Sequence, residues 1–246
     1  MKIIRSQFQL RLTPILFALA VAIAPLHAAD TMDQTNAPAS TALHYLTGKK
    51  PNAIELLAPP PLIDSPEQGA DMAEVQAVYH AATSNDIAAA YSEKKFSIFN
   101  FTPAIGDFFQ AGKFPKTEAF FDKVQTDAEF VTDKAKDYYK RPRPYTTDPT
   151  LANGKLEKSF SYPSGHSTES MVLALVLANL FPDKHDAIIA EARNIGWHRV
   201  EIARHYMTDI YAGRVLAQAI VKQFEKNDDF IKDLAAAKAE IAAAQK

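Results

Sequence analysis

A chain of 246 residues with 47% hydrophobic and 23% charged content has room for one sizeable core and is neither disordered nor fibrous in composition. Its formal charge of −2 argues against a general electrostatic attraction to nucleic acid. The absence of cysteine excludes disulfides, thiolate metal sites, a cysteine nucleophile and a lipidated N-terminal cysteine, and the eight glycines form no phosphate-cradling loop of the nucleotide-binding kinds.

In chain order, residues 1–29 read as a cleavable export signal: Lys2, Arg5 and Arg11 precede a short apolar stretch from Leu12 to Ala24 and a small-residue end at Ala28-Ala29. The apolar stretch is short of the about 20 residues that span a bilayer, although an uncleaved anchor is the alternative. Removing the signal takes away three of the 27 Lys+Arg and none of the 29 Asp+Glu, which leaves a mature charge of −5. Residues 30–64, closing on Pro59-Pro60-Pro61, are expected to form an extended arm laid over the domain.

A single helical domain is expected over 65–226. Ser65-Pro66-Glu67-Gln68 has the form of a capped helix start, with Met72, Val75, Tyr79 and Ala82 following at helical spacing. A longer helix is predicted over Thr117–Tyr139, with Phe120, Val124, Val131, Ala135 and Tyr138 on one side, stopped by Arg141-Pro142-Arg143-Pro144. A helix beginning beyond Pro163-Ser164-Gly165-His166 is nearly all apolar from Met171 to Leu180 and is expected to be buried all round. Further helices are expected from Pro182-Asp183 and over Asp209–Phe224; residues 227–246 read as a C-terminal helical tail, whose last stretch, Leu234 to Lys246, is either a solvated helix or frayed. Alternating strand patterns are scarce, so the fold class is all-α: a helical bundle core with an extended Pro-rich N-terminal arm.

Three clusters carry the chemistry: Lys136 with Arg143-Pro144, then Ser164-Gly165-His166, then Arg199 with His205 and Asp209. Taken singly they have plain explanations: Lys134, Lys136, Lys140, Arg141 and Arg143 as a solvated basic face, Ser164 as an N-cap, His205 and Asp209 as a surface pair. Together they fit a transferring phosphoryl group. Lys136, Arg143 and Arg199 supply fixed cations for oxygens that carry spread charge, and the helix start at Gly165 adds backbone N–H donors. The Ser164 hydroxyl is a further donor. His205, with Asp209 one turn on to take the Nδ1 proton, suits a nucleophile, and His166 suits the acid that protonates the leaving oxygen. A protonated His166 beside a neutral His205 predicts an acidic optimum.

In these motifs the chain resembles the type-2 phosphatidic acid phosphatase superfamily, which also includes vanadium haloperoxidases, and among its members is most similar to the bacterial class A non-specific acid phosphatases. That resemblance implies an all-helical core and a periplasmic, metal-independent and cofactor-free acid phosphatase acting on small phosphate monoesters, with vanadate as an inhibitor. It also implies a phosphohistidine at His205, His166 as acid and base, Asp209 in support of His205, and phosphate held by Lys136, Arg143, Ser164, Gly165 and Arg199. Relatives of that class often self-associate, so a homo-oligomer is a further expectation, and a phosphoenzyme can pass its phosphate to alcohols as well as to water. One departure stands out: the family's Ser before the third-motif Arg is replaced by His198. It has the choice of tuning the pocket or lying half-exposed on its helix.

Other readings use the same residues. A lipid phosphate phosphatase would share the cradle, a haloperoxidase would hold vanadate in it, and an inactive phosphate-binding protein would keep it without turnover. A metal on His166, His198, His205 and Asp209 would be opposed by the three neighbouring cations. The loops around Phe101–Phe109 and Tyr145–Tyr162 are expected to wall the pocket.

Overall fold

The computed structural model describes residues 42–94 and 96–245; the expected export signal and the first part of the expected arm lie outside them. Among the described residues the chain is all-α, with ten α-helices, three short 3-10 turns and no strand. The helices are α1 (Ala53–Leu56), α2 (Pro66–Ala81), α3 (Ser84–Ser92), α4 (Thr102–Ile105), α5 (Pro115–Tyr139), α6 (Pro144–Thr147), α7 (Gly165–Leu180), α8 (His185–Glu201), α9 (Met207–Phe224) and α10 (Asp228–Ala244). None of them is long and apolar enough to cross a membrane.

Local chemistry sets the ends of the elements that matter here. Ser65 Oγ accepts from the Gln68 N–H at 3.1 Å with Pro66 in the first turn, as the capping pattern predicts. The long helix α5 ends where Lys140 turns left-handed, at φ 49°, and its N–H closes back on the Lys136 carbonyl. The prolines at 142 and 144 then prevent it from resuming. The apolar run from Met171 to Leu180 is met by neighbours on nearly every side, so α7 is the central helix, packed by α5, α8 and α9.

The approach of α9 to α7 depends on Gly213. A methyl group there would come 2.9 Å from the Ser164 carbonyl oxygen and 3.0 Å from the Thr168 nitrogen, both backbone atoms at the start of α7. No side chain can give way, so Gly213→Ala must push the two helices apart. We expect it to cost about 2 kcal/mol, as overpacking does, and to lower Tm by roughly 6 °C for a domain of this size. A thermal melt of the variant unchanged within 1 °C or so would show that the approach is looser than described.

The arm is anchored rather than merely laid down. Asp127 of α5 is fully buried and accepts the backbone N–H groups of His44, Tyr45 and Leu46 at 2.7–2.9 Å. Tyr45 is buried, its hydroxyl donates to Asp233 of α10 at 2.7 Å, and its carbonyl accepts from Asn227 at 3.1 Å. The arm also makes a helical turn, α1, before the prolines. At the other end α10 is no frayed tail: Phe230, Ala237 and Ile241 are buried against α5, and Phe230 stacks on Phe224. The expected basic face is divided as well, with Lys136, Arg141 and Arg143 buried while Lys134 and Lys140 point to solvent.

Candidate active site

The site lies where the N-terminus of α7 meets the ends of α5 and α8 and the turn into α9. Lys136 comes from the last turn of α5, Arg143 from the segment before α6, and Arg199 from the last turn of α8. Ser164 caps α7, Gly165 and His166 open it, His205 sits in the turn after α8, and Asp209 lies in the first turn of α9. All three cations are buried.

Arg143 is held by the Ser159 carbonyl (Nε, 2.8 Å), the Ser159 hydroxyl (Nη2, 3.0 Å) and the Arg204 carbonyl (Nη1, 2.9 Å). Its Nη1 also stands 3.2 Å from His205 Nε2. A guanidinium only donates, so Nε2 must be the acceptor and the neutral ring carries its proton on Nδ1. That nitrogen is 3.4 Å from both Ser161 Oγ and Asp209 Oδ2, and Ser161 in turn donates to Asp209 Oδ2 at 2.5 Å. Burial first, then Arg143, Lys136 and Arg199, hold His205 well below the usual histidine range. The ring is neutral, oriented and unprotonated on the side that faces the cations.

Lys136 Nζ donates to the Phe160 carbonyl at 3.2 Å, and a methyl built on Gly165 would sit 3.6 Å from it, in the space between lysine and helix start. Ser164 Oγ accepts from the Ser167 N–H at 3.3 Å, the N-cap role, while its own N–H donates to the Asp209 carbonyl at 3.1 Å. One turn along, Glu169 is pushed up to about 7 by burial and by Glu129. His166 has its Nε2 sealed and unpartnered, and burial, then Arg199 and Lys136, hold it down to about 3. In the free site, then, His166 is neutral near pH 6, which corrects the expectation of a standing imidazolium: burial first, and the nearby cations second, disfavour a further positive charge.

Several partners had no local signature. Arg141 is buried behind the site and spans two carboxylates, Asp209 at 2.6 Å and Asp71 at 2.7 Å, with its guanidinium stacked 3.9 Å from the Tyr206 ring centroid. Gln68 and Thr208 take further hydrogen bonds from it. Burial opposes its charge, but the carboxylates outweigh burial. Ser161 was legible only as a neighbour of the Ser-Gly-His motif. Glu157 was not singled out at all, yet its carboxylate lies between Arg143 and Arg199.

His198 makes no contact in this cradle. Its Nδ1 pairs with the buried Glu93 at 2.7 Å, and this hydrogen bond raises its pKa despite burial. The expected pocket walls are half corrected. A cavity of about 390 Å³ adjoining Arg199 is lined by Lys155, Leu156, Lys158 and Ser159 of the second loop, with Tyr91 and Lys94 from the end of α3. Phe101 and Phe109 lie fully buried in the core instead. Among the described residues no three His, Asp or Glu side chains are grouped to hold a metal ion.

The model of the PAP2 superfamily matches residues 126–224, the span that contains all three clusters. A non-specific acid phosphatase of Providencia stuartii is 30% identical over 220 residues, covering 83% of this chain and 87% of its own length. A non-specific acid phosphatase of Salmonella typhi is 27% identical over 238 residues, 92% of this chain and 91% of its own. In fold, the chain is similar to the crystal structure of a transmembrane PAP2-type phosphatidylglycerolphosphate phosphatase from Bacillus subtilis, with a TM-score of 0.50 and 21% identity over 67% of this chain and 87% of that one.

Proposed function

Because the chain belongs to the class A non-specific acid phosphatases of the PAP2 superfamily, and so to the phosphoric monoester hydrolases, we propose that it hydrolyses small phosphate monoesters in the periplasm, without a metal, through a phosphohistidine on His205. The observation that carries the mechanism is the orientation of that ring: Nε2 faces Arg143 while Nδ1 faces the Ser161–Asp209 pair. Lys136, Arg143, Arg199 and the helix start at Ser164-Gly165 bind the three non-bridging oxygens and stabilise the charge that spreads over them in the transition state.

The steps follow from these positions. Nε2 of His205 attacks phosphorus, the P–O bond to the leaving group breaks, and a proton passes from His166 to the departing oxygen. The positive charge that forms on His205 is met by Asp209 directly and through Ser161. Water then attacks the phosphohistidine while His166 takes a proton from it, and the P–N bond breaks to release inorganic phosphate.

The neutral His166 of the free site determines where its proton comes from. A monoester's second ionisation lies near 6, so the substrate monoanion carries one proton into the cradle. Once bound, its charge offsets Arg199 and Lys136, and the proton moves to His166. The productive encounter therefore needs substrate monoanion and neutral enzyme, and kcat/KM should fall about tenfold per pH unit above roughly pH 6. Hydrolysis of p-nitrophenyl phosphate with excess EDTA, measured from pH 4 to 9, tests both parts. Robust turnover with that decline supports a metal-free phosphatase; a rate restored only by added metal, or one rising steadily to pH 9, would overturn the reading.

A further inference from the structure

The cradle already holds an anion, and it belongs to the chain. Glu157 Oε1 pairs with Arg199 at 2.6 Å, its Oε2 is in direct ion-pair contact with Arg143, and Arg204 Nε stands 4.0 Å from Oε1. Both arginines are those to which the phosphate of a substrate is assigned above. A carboxylate offers a guanidinium fork two oxygens in a plane, as a phosphate edge does. Without it, Arg143 and Arg199 would lose the carboxylate that stands between them in a buried site.

How the residue is mounted bears on how it can leave. Its backbone is fixed on both sides by one hydroxyl: Tyr145 Oη donates to the Glu157 carbonyl at 3.0 Å and accepts from the Glu157 N–H at 3.2 Å. The preceding Lys155 carbonyl accepts from Arg204 at 3.3 Å. The side chain is about a third exposed. The side chain itself lines the adjoining cavity of about 390 Å³, together with Lys94, Lys155 and Lys158, so a rotation of the side chain away from the arginines would carry it into that space without a loop opening.

We propose that Glu157 is an internal competitor: its carboxylate fills the phosphate cradle of the free enzyme, must leave for substrate to bind, and returns as phosphate departs, so that it sets the affinity of the site. The inference rests on the phosphate-cradle reading above. It makes a quantitative demand. A competitor that blocks a fixed fraction of the free sites weakens every ligand of those sites by one common factor, because the apparent affinity is the intrinsic one reduced by the unblocked fraction. A residue that touches the ligand would instead affect ligands of different shape and charge unequally.

The test is Glu157→Gln, which keeps the side chain's size and removes its charge. Calorimetric Kd values for inorganic phosphate and for sulfate, and the inhibition constant of orthovanadate, should all fall by the same factor of roughly ten, the value for a site blocked nine-tenths of the time. Glu157→Ala should repeat the result, and circular dichroism checks that each variant is folded. Affinities that stay unchanged would show that the carboxylate does not occupy the cradle in solution. Affinities that weaken, or that improve by clearly different factors, would make Glu157 part of the binding site, and either result overturns the proposal. The phosphate and sulfate measurements need no turnover. A chain that binds these anions with the common factor but hydrolyses nothing keeps the inference and loses the proposed mechanism, while an active enzyme with unchanged affinities does the reverse.

Discussion

Replacing His205 by alanine is expected to lower kcat for p-nitrophenyl phosphate by at least about 10³-fold, because the covalent route disappears with the nucleophile and only the electrostatic cradle remains. The fold should survive. His205 is nearly fully buried, but its ring makes only long contacts to Ser161 and Asp209 and one to Arg143, and none of these closes a helix. Its removal also relieves the crowding of a ring against three cations, so inorganic phosphate should bind at least as well as in the unchanged enzyme. Loss of rate with retained phosphate binding separates chemistry from binding. A variant that keeps even a tenth of the wild-type turnover would show that another group attacks phosphorus, and the phosphohistidine would have to be abandoned.

The second large effect concerns a residue that never touches the phosphate. Arg141 bridges Asp71 of α2 and Asp209 of α9 through two ion pairs with almost no exposure on any of the three side chains. Arg141→Ala would leave two carboxylates buried together without a counter-charge, the situation in which breaking a buried pair costs about 3–5 kcal/mol. At roughly 2–4 °C per kcal/mol for a domain of this size, Tm should fall by about 10 °C. Arg141→Lys should recover only part, since an ammonium is a point charge and cannot fork between two acceptors. A structural defect alone would end there. The positioning role adds a further expectation: at a temperature where the variant is folded, kcat should fall about tenfold or more while Kd for inorganic phosphate changes little, because Asp209 loses its fixed orientation toward His205 while the cradle does not move. Equal loss in both would reduce Arg141 to a structural bridge.

The three clusters could be read in advance because each brings its own chemistry within a few residues: a cation near a helix end, a capped helix start, a histidine one turn from an aspartate. The helices that carry them were equally legible where an apolar face or a proline stop marked them, as in α5 and α7. What escaped was whatever depends on separation. Arg141 and Asp71 lie 70 residues apart, and an arginine just before a proline looks like any helix stop until α2 is folded across it. Glu157 stands in a stretch with three lysines within three positions of it or nearby in space, where an acidic residue reads as ordinary charge balance. The C-terminal segment misled in another way. Its alanines and lysines suggest a solvated helix, yet Phe230, Ala237 and Ile241 fall seven and four residues apart, spacings that return to one face. His198 illustrates the limit of a motif: the departure from the family pattern is plain in the sequence, but the pairing with Glu93 that absorbs it is a fact of α3 and α8 lying side by side.

The clasp around Tyr45 has a consequence for the order in which the molecule can be completed. Tyr45 lies near the start of the described chain, and its socket is made by Asp127, Asn227, Phe230 and Asp233. Three of those four lie more than 180 residues after Tyr45 in the chain. A chain emerging from its N-terminus can form α5 and offer Asp127 to the arm early, but it cannot close over the tyrosine ring until residues 227–233 have followed. The arm is thus made well before the residues that lock it.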